Sequence, residues 1–304
     1  MPTADGKIKL LRIAYMSYTH ADLEKADQFL NDFGFQEVER RSDRIYYRGY
    51  GTEPISYCAI KGDEAAFSGA AFVVESIEDL EYATKNLPKA TEIRDNDAPG
   101  GGKIVTFYEP VDNQPWHLVY GQTPVERLET AKKLPELEYN YPTHKNREVN
   151  HYQRFKHGPA PVHKLGHFGF CLTDFEKAYD FYTKHFNWKA SEIVHDEAAK
   201  HVTTFLHIDL PAGEPPVDHH AFFFFEGPEF HVHHSSYEVH DFDIQGIGHQ
   251  WLREKGYDLV WGIGRHVMGS QIFDYVSSER LGGNGEGRRW LTCCVCSGGI
   301  RAIS

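Results

Sequence analysis

The stretch His167-Phe-Gly-Phe170-Cys-Leu172-Thr-Asp174-Phe175 gives the clearest indication of the fold, because its pattern of residue types is repeated along the chain. The same pattern, His-x-x-aromatic-x-aliphatic-x-Asp-Phe, occurs again from His234 to Phe242. A more distant copy runs from Tyr15 to Leu30, where Asp, Glu-Lys-Ala and Phe stay in register with residues 167–182. Internal similarity of this kind indicates repeated structural units.

Each copy has the pattern of a strand that leads into a helix. Thr173 and Glu176 have the spacing of a capping box, and an apolar stripe with helical period follows between Phe175 and Phe186. A second stripe lies between Ile244 and Leu252, and Gly256 is placed to end that helix. The polar, loop-rich segment between the two halves suits a connection. We therefore predict two modules, residues 8–122 and 161–275, joined by residues 123–160.

Composition excludes several classes of protein. The 304 residues carry a net charge of −12, which argues against nucleic acid or an anionic membrane as a partner. No apolar stretch has the length of a membrane span, and the first residues lack the apolar core of a signal peptide. Five unevenly spaced cysteines do not form a disulfide framework. We expect a cytoplasmic protein in a reducing compartment.

Histidine is strongly enriched in one region, since 15 of the 19 histidines lie between His151 and His249. In a strand, His167 shares its face with the small residues Gly169 and Cys171, while the aromatic residues point to the opposite face and build a core. Either histidine alone is explained by a hydrogen-bonded core residue. The repeated motif instead favours two imidazole ligands of a metal ion, His167 and His234, on paired strands.

These motifs, together with Gly262-Ile-Gly-Arg-His266-Val-Met-Gly-Ser-Gln-Ile-Phe-Asp-Tyr275, resemble the extradiol catechol dioxygenases of the vicinal oxygen chelate superfamily, in particular the catechol 2,3-dioxygenase type. The resemblance implies an α+β fold of tandem βαβββ modules that form two open, barrel-like sheets. It also implies Fe(II), less often Mn(II), bound by two histidines and a glutamate, with a catechol and O2 as substrates. His167 and His234 match the two histidines. The first-half counterpart of His167 is Tyr15, so no metal is expected there.

The resemblance assigns roles to three further residues. His220 matches an acid/base histidine, and His266 and Tyr275 match a pair that hydrogen-bonds substrate and bound oxygen. Without the family, a loop histidine and a packed strand aromatic explain His266 and Tyr275 equally well. His219, His231 and His233 are expected to be outer partners or surface residues, with His233 on the opposite strand face from His234.

The third ligand has no obvious candidate. Aligning Thr106 with Tyr275 carries the last strand of the first half onto residues 278–289, where the expected position 285 is glycine. Glu286 is one position off, and Glu279 comes too early. Residues 276–304 contain three of the five cysteines and six of the 27 glycines. We therefore predict an atypical tail in place of the family's last strand, such as a changed reading frame or splice would produce.

Three functions remain open at this point. The first is extradiol ring cleavage of a catechol by a homo-oligomeric enzyme. The second is a binding module with weak or no metal affinity, because two imidazoles without a carboxylate should hold Fe(II) poorly. The third is another reaction on the same scaffold, such as a glyoxalase-type isomerisation, which explains neither His220 nor Tyr275.

Overall fold

The computed structural model describes residues 6–129, 134, 139–146, 152, 155–214, 217–280 and 290–295. The first half contains β1 (Leu10–His20), α1 (Leu23–Phe33), β2 (Gln36–Arg40), β3 (Arg44–Arg48), β4 (Tyr57–Lys61), β5 (Ala66–Val74), α2 (Ile77–Asn86), β6 (Arg94–Asp95), β7 (Lys103–Tyr108) and β8 (Pro115–Tyr120). The second half contains β9 (Leu165–Leu172), α3 (Phe175–His185), β10 (Trp188–His195), β11 (His201–Ile208), β12 (Phe222–Glu226), β13 (His231–Glu238), α4 (Phe242–Glu254), β14 (Tyr257–Arg265), β15 (Ile272–Arg280) and β16 (Trp290–Val295).

The two halves form two sheets of the same topology. The strand order is β2-β3-β4-β1-β5-β8-β7-β6 in the first sheet and β10-β11-β12-β9-β13-β16-β15-β14 in the second. In each sheet two βαβββ units meet at a central antiparallel pair, β1 with β5 and β9 with β13. The predicted α+β fold with open sheets is confirmed.

The helices follow the predicted apolar stripes, but one cap differs from the prediction. The N-cap of α3 is Asp174, whose carboxylate accepts a hydrogen bond from the Lys177 amide at 3.0 Å. Thr173 instead donates its hydroxyl to Asp112 of the first half at 2.6 Å. The capping-box prediction was therefore wrong by one residue, because a partner distant in sequence competes for the threonine. Gly256, with φ +82°, follows α4 as predicted.

A large core rich in aromatic residues lies between the sheets. Phe168 and Phe170 are fully buried, as the alternation along β9 predicts. Trp116 of the first half packs 5.8 Å from Phe168 and stacks on Phe72 at 5.0 Å, measured between ring centroids. Burying aromatic rings of this size is among the largest stabilising contributions a core can make. Because the core takes one face of β9, the opposite face is left for the histidines.

The last strand of the second half, β16, lies inside the second sheet, between β13 and β15. β16 lies parallel to β13 and antiparallel to β15, as β8 lies to β5 and β7. Thr106 pairs with His117, whereas Tyr275 pairs with Thr292. The strand thus begins later than our alignment onto residues 278–289 predicted, because the alignment assumed an equal spacing between the last two strands. The domain bounds and the origin of residues 276–304 stay predictions.

Within the described residues, no helix is long and apolar enough to cross a membrane.

Candidate metal centre and active site

His167 and His234 lie side by side in the middle of the second sheet. They come from the antiparallel neighbours β9 and β13, where His234 pairs with Gly169 and His167 with Ser236. Both side chains are buried, and their Nε2 atoms are 3.0 Å apart. The structure therefore brings together the two residues that the sequence predicts as metal ligands.

Two observations show that these imidazoles fit a metal ion. Two nitrogens that each bind a cation at about 2.1 Å, about 90° apart, lie about 3.0 Å from each other. Burial lowers the pKa of both His167 and His234 well below the usual 6.5, and the neighbouring imidazoles lower it further. Both rings are therefore neutral, as metal ligation requires. The same distance also fits a direct hydrogen bond between two neutral rings.

His233 contacts His234, contrary to the strict alternation that we expected. A register shift interrupts the pairing of β13 with β9 between Val232 and His234. The Nδ1 atoms of His233 and His234 consequently lie 2.7 Å apart. When Nδ1 of His234 is the donor of this hydrogen bond, the lone pair of its Nε2 faces His167. The outer partner of this candidate ligand is thus an imidazole.

The space beside His167 is narrower than the small residues Gly169 and Cys171 suggest. A side chain at position 169 would overlap the ring of Phe223, because a Cβ there would lie 1.8 Å from a ring atom. The Phe223 ring is 5.2 Å from that of His234, measured between centroids. Gly169 therefore makes room for an aromatic wall of the site, which the sequence pattern did not predict.

His220 lies next to His167, with 4.3 Å between the ring centroids. Burial lowers the pKa of His220 well below 6.5, and the neighbouring His167 contributes in the same direction. Its Nδ1 lies 3.1 Å from Nδ1 of His219, and Nε2 of His219 lies 3.7 Å from a carboxylate oxygen of Glu192. His220 is therefore a neutral base beside the candidate metal ligands.

His266 and Tyr275 form a hydrogen-bonded pair at the other side of His234. The distance from His266 Nε2 to the Tyr275 hydroxyl is 3.2 Å, and the Tyr275 ring is 5.0 Å from that of His234. Tyr275 is buried and His266 is half-buried. All five residues singled out from the sequence thus lie around one point.

A third protein ligand is not found in the described part of the chain. Among these residues, no group of three or more His, Cys, Asp or Glu side chains is arranged to hold a metal ion. Asp274, next to Tyr275, accepts hydrogen bonds from His249, and Glu238 pairs with Lys164. Position 285 and Glu286 lie outside the described residues, and Glu279 lies in β15 but its side chain is outside them too.

The second half of the chain resembles known proteins in sequence. The sequence model of the Glyoxalase/Bleomycin resistance protein/Dioxygenase superfamily matches residues 164–275. This part of the chain is therefore similar in sequence to members of that superfamily. The matched residues include both candidate ligands, His220, His266 and Tyr275.

Relatives extend the similarity to almost the whole chain. Metapyrocatechase 2 of Cupriavidus necator is 27% identical over 294 residues, which cover 90% of this chain and 80% of the relative. A manganese-dependent 2,3-dihydroxybiphenyl 1,2-dioxygenase of Geobacillus genomosp. 3 is 21% identical, with coverage of 90% and 83%. The predicted resemblance to extradiol dioxygenases, which are oxidoreductases, is confirmed.

A solved structure shares the fold. Homoprotocatechuate 2,3-dioxygenase from Brevibacterium fuscum, in complex with 3,4-dihydroxyphenylacetate, superposes with a TM-score of 0.76 at 17% identity. The match covers 99% of this chain and 84% of the other. At this identity the likeness establishes the fold alone.

Proposed function

We propose that this chain is an extradiol dioxygenase that cleaves the ring of a catechol-type diol with O2. The observation that carries the proposal is the pair of buried, neutral imidazoles, His167 and His234, with their Nε2 atoms 3.0 Å apart. His220 lies on one side of this pair and Tyr275 on the other. Two ligands, a base and a hydroxyl donor are the groups that the reaction needs around one point.

His167 and His234 would hold the metal ion, Fe(II) or alternatively Mn(II). When bound, the ion supplies a template on which both catechol oxygens and O2 meet, and a path for electrons between them. Neutral imidazole suits iron, and manganese is named for one of the relatives. A bound ion would also replace the His167–His234 contact by two metal bonds.

The remaining residues handle protons and exclude water. A catechol hydroxyl that loses its proton on binding needs an acceptor, and His220, a neutral base in contact with His167, can take it. Tyr275 can donate its hydroxyl hydrogen to an oxygen of the bound diol, while His266 donates its Nε2 hydrogen to the Tyr275 oxygen at 3.2 Å and orients the hydroxyl. The ring of Phe223 covers the space next to His234.

The test is a ring-cleavage assay. The protein is loaded with Fe(II) under nitrogen, mixed with catechols in aerated buffer and followed for the yellow ring-fission product and for O2 consumption. The proposal predicts both signals, and predicts that His234→Ala abolishes them. His195→Gln, which changes a histidine at the exposed end of β10, serves as the matched control and should keep full activity. A loaded wild-type protein that consumes no O2 with any of several catechols would contradict the proposal.

A second candidate is a binding protein of the same fold with weak metal affinity. It is favoured by one observation, that the described residues supply two imidazoles but no carboxylate to complete the set. Iron per chain after loading and dialysis separates the two candidates. A ratio near one supports the dioxygenase, and a ratio near zero supports the binding protein.

The domain roles, compartment and assembly complete the proposal. Residues 161–275 would form the catalytic module and residues 8–122 a module without metal. Cys58 and Cys171 are buried and free, and burial raises the pKa of the Cys58 thiol to about 12, so it is inert. Buried, free thiols fit a cytoplasmic location. We further propose a homo-oligomer, and sedimentation of the purified protein tests the assembly.

A further inference from the structure

The edge strand β14 carries an exposed tryptophan next to the candidate site. Trp261 has 65% of its surface exposed. Its ring lies 4.7 Å from that of Phe273 and 5.5 Å from that of Tyr275, measured between centroids. We call Trp261 and Phe273 the aromatic shelf.

The aromatic shelf lies on the same face of the sheet as the candidate metal ligands. Phe273 and Tyr275 are two residues apart in β15, so their side chains share a face. Tyr275 in turn contacts His234. The shelf therefore continues the wall of the site from the buried Tyr275 outwards to solvent.

A glycine opens the space for this arrangement. Gly264 pairs with Phe273 across the strands, and a Cβ at position 264 would come within 2.6 Å of the Phe273 ring. Without a side chain there, the ring lies flat over β14 next to Trp261. The sequence signal for the shelf was thus the pattern Trp-Gly-x-Gly in an edge strand.

The contacts of the shelf are aromatic and uncharged. Beyond Phe273 and Tyr275, Trp261 contacts His266 at 5.9 Å between centroids. The neighbouring charged side chains have other partners. Arg265 donates to the Ser270 carbonyl at 2.6 Å, and Asp274 pairs with His249 on the other face of the sheet. An anionic substituent would find no described cation in contact with Trp261.

We propose that the aromatic shelf binds a planar apolar substituent of the diol, so that the preferred substrates are aryl-substituted catechols and not catechols with a carboxylate side chain. This inference rests on the proposed function. A phenyl ring that stacks on Trp261 removes apolar surface from water on both partners and adds the favourable geometry of an aromatic pair. An unsubstituted catechol has no ring substituent that could extend beyond Tyr275 to the aromatic shelf, so the shelf should add nothing to its affinity.

The test compares binding of a phenylcatechol, catechol and 3,4-dihydroxyphenylacetate to the Fe(II)-loaded protein under nitrogen, where no turnover occurs. Calorimetry should show that Trp261→Ala weakens the phenylcatechol about tenfold and catechol less than twofold. Trp261→Phe should retain most of the affinity. Ile263→Ala is the control and should alter neither ligand, because Ile263 pairs with Asp274 and a register shift between Leu259 and Gly262 interrupts the alternation next to Trp261.

Two results would overturn the inference: equal effects of Trp261→Ala on phenylcatechol and catechol, or tighter wild-type binding of 3,4-dihydroxyphenylacetate than of the phenylcatechol. Failure of the proposed function gives a different result. In that case wild-type protein turns over no catechol in air, while the calorimetric comparison still shows whether the aromatic shelf binds the aryl ring.

Discussion

The two sheets carry different side chains at corresponding positions. By strand register, Tyr15 and Gly69 of the first sheet correspond to His167 and His234 of the second. In the first sheet the ring of His117 fills this place, and a Cβ at Gly69 would lie 2.1 Å from its Nε2. His117 is fully hydrogen-bonded, to the Thr106 hydroxyl at 2.9 Å and to the Ser68 carbonyl at 3.1 Å.

This difference separates a structural histidine from candidate functional ones. Both nitrogens of His117 have partners within the protein, and burial lowers its pKa to about 4, so it is a neutral core residue. His167 and His234 instead turn their Nε2 atoms towards each other, and Nδ1 of His167 has no hydrogen-bond partner among the described residues. The same topology thus holds a filled site in one half and a candidate reactive site in the other.

The largest effect should come from removing a candidate ligand. His234→Ala should lower kcat/KM for catechol by more than about a thousandfold even with excess Fe(II), because one imidazole cannot hold the ion. The matched change in the first half, Tyr15→Phe, should leave the rate within about twofold. A steady-state O2-electrode assay measures both. Comparable losses in the two variants would remove the distinction between the halves.

The second-largest effect should come from replacing the proposed base, His220. His220→Gln should lower kcat about 100-fold or more while the bound iron stays at the wild-type level, since the role that we propose for His220 is to move a proton and not to hold the ion. His207→Gln, which changes a buried histidine of β11 that hydrogen-bonds Ser191, is the control. Loss of iron from His220→Gln would instead make His220 a ligand.

The third effect, on kcat, should come from removing the hydroxyl group of Tyr275. Tyr275→Phe removes the partner of His266 and should lower kcat about tenfold, with the fold unchanged, because the ring still packs against His234. Thr106→Val, the register counterpart in the first sheet, should leave kcat unchanged and cost only stability, since it removes the partner of His117. Thermal unfolding together with kcat distinguishes the two results, and an unchanged kcat in Tyr275→Phe would exclude a role for the hydroxyl.

The smallest effect is on stability and depends on pH. Burial alone would raise the pKa of Glu238, but hydrogen bonds from His163 and Lys164 and the charge of Lys164 lower it to about 2. Because the folded-state pKa lies below the unfolded value, the stabilisation is complete above about pH 4.5 and is lost as the pH falls towards 2. Glu238→Gln should therefore cost about 2 kcal/mol at pH 7 and much less at pH 3.

Urea unfolding at the two pH values measures this difference. Glu176→Gln, which removes an exposed carboxylate, is the control and should stay within about 0.5 kcal/mol of the wild type at both. Asp218 acts in the opposite direction, because burial raises its pKa, so its contribution is lost as the pH rises. A cost for Glu238→Gln that does not change with pH would show that its carboxylate is not held charged.

The sequence predicts those features that depend on local periodicity and on repetition. The apolar stripe from Phe175 onwards defines α3, and alternation along β9 assigns Phe168 to the core and His167 to the opposite face. The repeated motif also selects two histidines out of 19 that the structure then places 3.0 Å apart. Local patterns suffice here because each residue's face is decided within its own strand.

Features that depend on distant partners could not be predicted from the sequence. The contact of His233 with His234 follows from a shift in pairing between β13 and β9, and Phe223 reaches Gly169 from a neighbouring strand. Thr173 does not cap α3 because Asp112, 61 residues away, binds it. The start of β16 was also predicted wrongly, because the repeat does not determine how many residues separate two strands.

The central claim is that one metal ion binds per chain, in the second sheet. Anaerobic calorimetric titration of the protein with Fe(II) tests it most directly. The account predicts one site per chain in the wild type and in Tyr15→Phe, and none in His167→Ala or His234→Ala. A wild-type stoichiometry near zero, or a site that survives both histidine substitutions, would contradict it.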